Sequence, residues 1–346
     1  MIAGVNDAGS QRPHRDHASE RLMCFTGVHA EEFREQLDQN GFFWVDLESP
    51  TDEEIDTLAD VFGFHPLAIE DAKASNQRPK LDLYGEHVFL VFYGARAGRV
   101  PLPPHQPGKG ATADAGLLAE VHMFISGNYV ITLHREPMPE LEALRERVHG
   151  RPLRSEQFLV YKVIDAVTDT FFPVLADIDD EIDRVQDAII TGPGEAQLQA
   201  IFTLKRELLS LRRVVTPQRD LFARSVDDLR DLPGLEADEH EYFRDVYDHL
   251  IRISDLVDSY RDLLSGATDL YLTTVANRQG EVSKQLTIIA TIFLPLTFIT
   301  GFFGQNFSFL VVHVINTTWS FVVFGIGTLV VSCVGFVIFF RRKGWI

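Results

Sequence analysis

An uncharged run near the C-terminus constrains this chain more than any other feature. Positions 285–340 contain no Asp, Glu, Lys or Arg. Within them, 286–304 and 319–340 are almost wholly apolar, and each is close to the ~20 residues that a helix needs to cross a bilayer. The alternative, a helical hairpin buried in a soluble protein, is disfavoured by so long an uncharged run. The sequence therefore predicts two transmembrane helices.

The basic residues that flank these spans predict their orientation. Lys284 precedes the first span, Arg341, Arg342 and Lys343 follow the second, and 305–318 contains neither Lys nor Arg. Because cytoplasmic flanks carry the excess of positive charge, both termini are expected in the cytoplasm and 305–318 outside. Pro295 is expected to kink the first span. We thus expect a multi-pass protein of the plasma (cell inner) membrane, in contact with lipid.

The rest of the chain is strongly acidic. The sequence has 50 acidic and 32 basic residues, and every acidic residue lies at or before Glu281. This charge argues against nucleic acid as a partner and suits cations, although an acidic surface also simply confers solubility. The two cysteines form no paired framework, and no metalloprotease motif, Cys-x-x-Cys or P-loop is present. We therefore predict that the protein is not an enzyme.

The N-terminal half has the pattern of a mixed α/β domain. Strands are predicted at 42–47, 87–95, 121–125 and 129–134, the last two joined by a turn at Ser126-Gly127-Asn128. Thr51 and Glu54 form the pattern of a capping box before a helix.

The pattern then becomes helical. Helices are predicted over 156–190 and 195–229, separated by Gly192-Pro193-Gly194, with Pro173 and Pro217 expected to kink or split them. A heptad seam follows from Val246 to Thr274, and the simplest interpretation is one helix from Tyr242 to Gly304. The alternative is a break near Gly280.

These patterns divide the chain into eight parts. They are a flexible tail over 1–21, an α/β cytoplasmic domain over 22–150, a helical hairpin over 151–234, a stalk helix over 235–285, a first span over 286–304, an external loop over 305–318, a second span over 319–340 and a basic cytoplasmic C-terminus over 341–346.

One face of the first span carries a stripe of small and hydroxylated residues. At a spacing of about 3.5 residues it comprises Gly280, Ser283, Thr287, Ala290, Leu294, Thr297 and Gly301. Two helices cannot enclose a path for ions, so conduction would require several copies around an axis. The stripe would then line the pore, and Leu294 would form a hydrophobic constriction. Tight helix packing explains the same stripe equally well.

Polar residues follow the stripe at the outer end of the span. Gln305 and Asn306 offer amide oxygens that could hold hydrated Mg2+ through its own waters. Such a pair at a helix end is also ordinary capping chemistry.

Several motifs in the correct order resemble the CorA family of magnesium channels. FGQNF at 303–307 stands where the family has Tyr-Gly-Met-Asn-Phe, and LTIIATIFLPLTFITG precedes it. Further similar segments are EYFRDVYDH, IDDEID, HPLAIEDA and QRPKLDLYGEHVFLV, so that the resemblance omits only the first ~20 residues. It implies a CorA-like homopentameric funnel with an α+β cytoplasmic domain, a long stalk helix and two transmembrane helices.

The resemblance also implies roles for residues. Gly304, Gln305 and Asn306 would form the selectivity filter, and the stripe would line the pore. Regulatory Mg2+ would bind between neighbouring cytoplasmic domains, at positions matching Asp71 and Asp245, with Glu70 and Asp165 nearby in role. A bound cation would cancel the repulsion between these carboxylates and hold the pore shut. Without the resemblance, Asp165 would be read as a salt-bridge partner and Asp71 as a helix-terminal acid.

Two departures from the family pattern leave the ion open. Gln305 replaces the family's Met, and the outer loop has no acidic residue, with His313 as its one titratable side chain. Three hypotheses follow: a Mg2+ channel gated by cytoplasmic Mg2+, a Zn2+, Co2+ or Ni2+ transporter of the same fold, and a membrane-anchored metal sensor that conducts nothing.

Overall fold

The computed structural model describes residues 21–85, 87–96, 98, 116–152, 155–225, 240–305, 308–314 and 316–345. The expected tail over 1–21 lies outside these residues except for Arg21. The chain divides into two compact units. We call Met1–Ala188 with Gly194–Thr268 the α/β unit, and Ile189–Pro193 with Asp269–Ile346 the apolar unit.

A mixed six-stranded sheet forms the centre of the α/β unit, in the order β1-β2-β6-β5-β4-β3. The strands are β1 (Met23–Phe25), β2 (Phe43–Glu48), β3 (Lys80–Tyr84), β4 (His87–Ala95), β5 (Leu118–Ile125) and β6 (Tyr129–His134). Strands β1, β2 and β6 are parallel, and β6, β5, β4 and β3 are antiparallel. The four predicted strands and the hairpin turn are confirmed. The prediction missed β1, which is only three residues long, and β3, in which the charged Lys80 and Asp82 alternate with leucines.

Each face of the sheet carries its own apolar layer. On one face, Trp44, Phe92 and Met123 are fully buried together with residues of α4 (Pro139–Val148) and α5 (Glu156–Asp169). The other face is aromatic, and the Phe64 ring stacks on Phe124 with centroids 3.9 Å apart. Burial on both faces explains why β4 is an unbroken apolar run.

Three short helices contribute to the aromatic side: α1 (Ala30–Asp38), α2 (Asp52–Phe62) and α3 (Pro66–Lys73). The predicted capping box is confirmed, since Thr51 Oγ1 accepts from Glu54 N–H and the Glu54 carboxylate accepts from Thr51 N–H. Gly63 ends α2 at φ 68°, a left-handed conformation that glycine adopts without strain.

Strand β4 extends beyond the end of β3. There, side chains from helices form hydrogen bonds with the backbone groups at its edge. Gln218 in α7 (Glu195–Ser225) is fully buried, and its Oε1 accepts from Tyr93 N–H at 2.5 Å while its Nε2 donates to Tyr93 O at 3.2 Å. Thr170 Oγ1 accepts from Ala95 N–H at 2.7 Å. These bonds replace the missing neighbouring strand, because a buried backbone group needs a partner.

The helical segment predicted over 156–190 consists of two helices, in agreement with the split expected at Pro173. Helix α5 ends at Asp169, and α6 (Phe171–Thr191) follows. Pro173 has no N–H to donate to the carbonyl of Asp169, and Thr170 Oγ1 donates to the carbonyl of Val167 while it accepts from Ala95 N–H of β4. Helix α7 continues through Pro217 to Ser225, and its predicted end at 229 lies outside the described residues.

The predicted continuous helix is confirmed. Helix α8 runs from His240 to Phe303 without a break at Gly280 or Pro295. It is followed by a π-helical turn at Leu310–Val314, α9 (Thr318–Ser320), a π-helical segment at Phe321–Gly327 and α10 (Thr328–Arg342). Two helical stretches, Tyr242–Phe303 and Thr318–Arg342, each contain a window that is long and apolar enough to cross a membrane. None of the most apolar window of the first is buried within the chain.

Candidate ion path and metal-binding cluster

The predicted pore-lining stripe lies on α8. Its seven residues, Gly280, Ser283, Thr287, Ala290, Leu294, Thr297 and Gly301, are all exposed on the single chain. Leu294 is the most exposed of the large apolar residues of α8, at 74 %. The structure therefore leaves this face available, although the phenylalanines on other faces of the span are exposed as well.

The stripe hydroxyls offer oxygen lone pairs rather than protons. Thr287 Oγ1 donates to the carbonyl of Ser283, and Thr297 Oγ1 donates to the carbonyl of Phe293, both at 2.8 Å. A hydroxyl has one proton and two lone pairs, so a threonine that donates to its own helix can only accept from what lies outside. Such a surface suits a hydrated cation, whose waters donate hydrogen bonds.

The predicted filter lies where α8 ends. Phe303 is the last helical residue, Gly304 N–H donates to Thr300 O at 2.9 Å, and Gln305 N–H donates to Phe302 O at 3.3 Å. A Cβ at Gly304 would lie 3.1 Å from Thr300 O, so the tight turn favours glycine. Gly304 and Gln305 are exposed. Asn306, the third filter residue of the prediction, lies outside the described residues.

His313, the one titratable side chain of the outer loop, is exposed. Its ring stacks on Phe309 with centroids 4.9 Å apart. Both residues lie in the short segment 308–314 that follows the filter.

Two of the four predicted regulatory residues meet in one cluster within the α/β unit. Asp165 lies on α5 and Asp245 on α8, and His249, one turn after Asp245, connects them. His249 Nδ1 is 3.6 Å from Asp165 Oδ1, and His249 Nε2 is 3.8 Å from Asp245 Oδ1. Asp169 joins the cluster at 3.3 Å from His249 Nδ1.

This cluster has the donor set of a divalent metal site. Ligand atoms of Asp165, Asp169 and His249 lie within 4.8 Å of one another. Asp165 Oδ1 and His249 Nδ1 are buried and, among the described residues, make no hydrogen bond. Buried polar atoms normally have partners, so two such atoms facing each other suggest a position for an ion. Carboxylates suit Mg2+, whereas an imidazole favours Zn2+, Co2+ or Ni2+.

The charges around the cluster are partly balanced. Lys162 Nζ donates to Asp165 Oδ2 at 3.3 Å, and Tyr161 Oη donates to Asp245 Oδ2 at 3.0 Å. Partial burial and the charge of Asp165 raise the pKa of Asp169 above its ordinary value. Burial and the same charge raise the pKa of Tyr161, so its hydroxyl remains a donor. A divalent cation would relieve the repulsion between these carboxylates.

Asp71 and Glu70 lie apart from this cluster, on α3. The Asp71 carboxylate accepts from Lys80 Nζ at 2.5 Å, and Lys80 also donates to Asp82 at 2.8 Å. Burial alone would lower the pKa of Lys80, but hydrogen bonds to both carboxylates raise it. Glu70 is exposed. Within one chain, Asp71 is thus already neutralised by a cation, which a metal ion would have to displace.

The sequence interpretation missed Asp169 and His249. Their spacing is the signal that could have found them, because Asp165 and Asp169 are four residues apart on one helix, as are Asp245 and His249 on another. Residues at that spacing share a helix face. Two such pairs on facing helices bring four potential ligands together.

Comparison with known proteins identifies the family of the chain. The model of the family "CorA-like Mg2+ transporter protein" matches residues 39–342. The chain is 33 % identical to a putative metal ion transporter, YfjQ, of Bacillus subtilis, over 88 % of this chain and 90 % of the relative. It is 32 % identical to the cobalt/magnesium transport protein CorA of Thermotoga maritima, over 99 % and 88 %. A more distant relative is the zinc transport protein ZntB of Yersinia enterocolitica, with 24 % identity over 70 % of each chain.

Among solved structures, the complete CorA magnesium transporter of Methanocaldococcus jannaschii is similar, with a TM-score of 0.70. The match has 22 % identity and covers 88 % of this chain and 91 % of that one, which shows a shared fold of an α/β domain, a long helix and two apolar helices. The family model matches most of the chain, and the identity to YfjQ and CorA exceeds 30 %. Together these findings establish the family. The chain belongs to the family of CorA-like Mg2+ transporter proteins.

Proposed function

We propose that this chain assembles into a homopentamer that conducts Mg2+ through the plasma membrane. The observation that carries the proposal is the stripe on α8, where threonines present acceptor oxygens along an apolar span that ends at Gly304 and Gln305. Membership of a Mg2+ transporter family supports the same conclusion. Five copies of the first span would surround the path, and Asn306 would complete the filter.

The parts of the chain take the following places in this proposal. The α/β domain (22–150), the helical hairpin (151–234) and the stalk (235–285) lie in the cytoplasm. The first span (286–304) lines the pore, the loop at 305–318 faces outside, and the second span (319–340) faces lipid. The basic C-terminus (341–346) returns to the cytoplasm, as the positive-inside rule requires.

Cytoplasmic Mg2+ would close the channel. The support is the mutual repulsion of the carboxylates around Asp165, together with two buried atoms, Asp165 Oδ1 and His249 Nδ1, that make no hydrogen bond within the described part of the chain. Asp71 and Glu70 of a neighbouring copy would contribute to the site once Lys80 releases Asp71. Helix α8 contains both Asp245 and the pore-lining span, so one element connects the sensing residues to the path.

Ion flux with purified protein tests this function. Proteoliposomes containing the wild-type protein should take up Mg2+ down its gradient, and Asn306→Ala should abolish uptake. Asn316→Ala is a matched control, because it removes the same amide from the same outer segment and should leave uptake unchanged. Uptake that survives Asn306→Ala would remove the filter assignment.

A Zn2+, Co2+ or Ni2+ transporter is the second candidate. It is favoured by the imidazole of His249 in the cluster, by Gln305 in place of Met and by the presence of His313 in an acid-free loop. A competition assay decides between the two candidates. If excess Mg2+ leaves 65Zn2+ uptake into proteoliposomes unaffected, Zn2+ becomes the preferred substrate.

A membrane-anchored sensor that conducts nothing remains the third hypothesis. Any cation current or flux that requires Asn306 excludes it.

A further inference from the structure

A cleft of about 1060 Å3 opens on the aromatic side of the sheet, wholly within the α/β unit. Its floor is formed by residues of β4, β5 and β6 that share that face, among them Tyr93 and His122. The segment between α3 and β3 forms one wall, and part of α7 forms another. The ion path and the metal-binding cluster use none of these residues.

Three arginines from three different elements border this cleft. Arg78 lies before β3, Arg135 directly after β6 and Arg213 on α7, and all three are exposed. This convergence is unusual in a chain with a formal net charge of −18. Guanidinium groups that meet in a concavity form a site for phosphate or carboxylate groups.

Two of these guanidinium groups have no carboxylate partner among the described residues. Arg135 Nη2 donates to the backbone carbonyl of Lys73 at 2.6 Å, which fixes the side chain and leaves its other donors available. Arg78 makes no hydrogen bond or ion pair within the described part of the chain. By contrast, Arg145 and Arg261 are each paired with an aspartate.

The carboxylate of Glu120, which borders the cleft, already has hydrogen-bond partners. Glu120 accepts hydrogen bonds from the backbone N–H groups of Asn76 and Gln77, at 2.7 and 3.0 Å, and its Oε1 is 3.0 Å from His122 Nε2. Although burial alone would raise the pKa of Glu120, these bonds lower it, so the carboxylate stays ionised and holds the segment that carries Arg78. Glu136 also borders the cleft, and the arginines outnumber the two acids.

Part of the remaining lining is apolar, beside polar residues such as Asn76 and Gln77. Leu118 and Leu133 belong to the floor, and Val214 and Pro217 belong to the α7 wall. A free phosphate would use only the arginines and would leave this surface in contact with water. The volume and the pairing of a basic rim with an apolar wall fit a ligand with an anionic end and a flat apolar end.

We propose that this cleft binds a nucleotide, with its phosphates on Arg78, Arg135 and Arg213 and its base against the half-buried Pro217 of α7. Arginine holds phosphate oxygens in pairs, which gives both affinity and orientation. The site is independent of the transported ion, so it can exist whichever divalent cation the protein conducts.

The test is a titration of the full-length protein, in lipid nanodiscs at fixed free Mg2+, with ATP, ADP, adenosine and inorganic tripolyphosphate, followed by calorimetry. ATP should bind saturably, more tightly than either tripolyphosphate or adenosine. Arg78→Ala and Arg135→Ala should each weaken binding about tenfold, since each removes a charge-assisted contact. Arg184→Ala, an exposed arginine on α6 away from the cleft, should leave binding unchanged.

Three results would overturn the proposal. The first is the absence of saturable nucleotide binding at millimolar concentrations. The second is equal weakening by Arg184→Ala, which would show only non-specific charge attraction. The third is tripolyphosphate binding as tightly as ATP, which would remove the base contact. Because Arg78 is exposed and unpaired, Arg78→Gln should fold normally, and thermal unfolding at the wild-type temperature would confirm that a loss of binding is not a loss of structure.

Discussion

The α/β unit and the apolar unit use similar residues in opposite ways. In the α/β unit, Trp44, Phe92 and Phe124 are completely buried, and the sheet has an apolar layer on each face. In the apolar unit, Phe298 and Trp319 remain more than 70 % exposed. The hydrophobic effect therefore completes the first unit within one chain. The second leaves its apolar side chains exposed within the single chain.

Threonine hydroxyls make the same contrast on a smaller scale. Thr132 is fully buried, accepts from Trp44 Nε1 at 3.0 Å and donates to Asp46 Oδ1 at 2.6 Å, so it satisfies two other side chains. Thr287 donates to the carbonyl of Ser283 in its own helix and directs its lone pairs outward. The Thr132 hydroxyl thus bonds other side chains of the fold, whereas the Thr287 hydroxyl bonds only its own helix within the described part of the chain.

The largest expected effect tests the contrast in aromatic packing. Phe92→Ala should destabilise the α/β unit by about 3–5 kcal/mol, because it leaves a cavity between the sheet and Phe222. Phe298→Ala, on the exposed surface of the apolar span, should leave the unfolding of the α/β unit unchanged. Urea unfolding of the full-length protein in detergent measures both, followed by the fluorescence of Trp44 in a background in which Trp319 and Trp345 are replaced by phenylalanine. Similar losses for the two variants would mean that the units do not differ as described.

A buried polar network provides the next test. Asp46 is almost fully buried and is bonded by Thr132, His134 Nε2 at 3.2 Å and Arg145 Nη1 at 2.5 Å. Asp46→Asn should cost about 3 kcal/mol, because it leaves His134 and Arg145 without their carboxylate. Equilibrium unfolding at pH 6 measures this loss. A change below 0.5 kcal/mol would contradict the assigned network.

The same network predicts how that loss depends on pH. Burial alone would raise the pKa of Asp46 and lower that of His134. The hydrogen bond and the charge attraction between the two groups outweigh burial, so the pKa of Asp46 is lowered and that of His134 is raised. Stability from Asp46 is present above its ordinary pKa of 3.8 and is lost as pH falls through the lower folded value. Stability from His134 is present below its ordinary pKa of 6.5 and is lost as pH rises through the higher folded value. The difference between wild type and Asp46→Asn should therefore be largest between about pH 4 and 6.5 and smaller at pH 9.

The sequence predicted those parts of the fold whose signals are local. The apolar strands β4 and β6 and the Thr51–Glu54 capping box were identified because neighbouring residues alone determine them. Strand β3 was missed because its pairing with β4 outweighs a polar composition. The split near Pro173 was expected from the proline, but its position at Thr170 was not, because Thr170 bonds Ala95, far away in sequence.

The candidate sites differ in the same way. The stripe on α8 could be found from its period, since one helix carries all of it. Asp169 and His249 required knowledge that α5 and α8 face each other, which no single periodicity contains. The arginine cleft was also missed, because its three charges come from segments that only the folded sheet brings together.

A smaller effect is expected at the start of α2. Thr51→Ala should destabilise the α/β unit by about 1 kcal/mol, because the Glu54 N–H loses its acceptor. Thr57→Ala in the same helix is the control, since Thr57 donates only to the carbonyl of Glu53 and alanine is a better helix former. Thermal unfolding of the two variants should separate them. Equal stability would show that the capping box does not define this helix start.

The smallest effect on stability, and the sharpest test of the contrast, is expected at Thr287. Valine has nearly the same shape as threonine but no oxygen, so Thr287→Val should change stability by less than about 0.5 kcal/mol. If the stripe borders the ion path, Mg2+ uptake into proteoliposomes should nevertheless fall, because one ring of acceptor oxygens is lost. Thr300→Val is the matched control: Thr300 also donates to its own helix, to the carbonyl of Leu296, but lies off the stripe. Reduced uptake with Thr300→Val and normal uptake with Thr287→Val would place the path on a different face of α8, and the stripe would then serve helix packing.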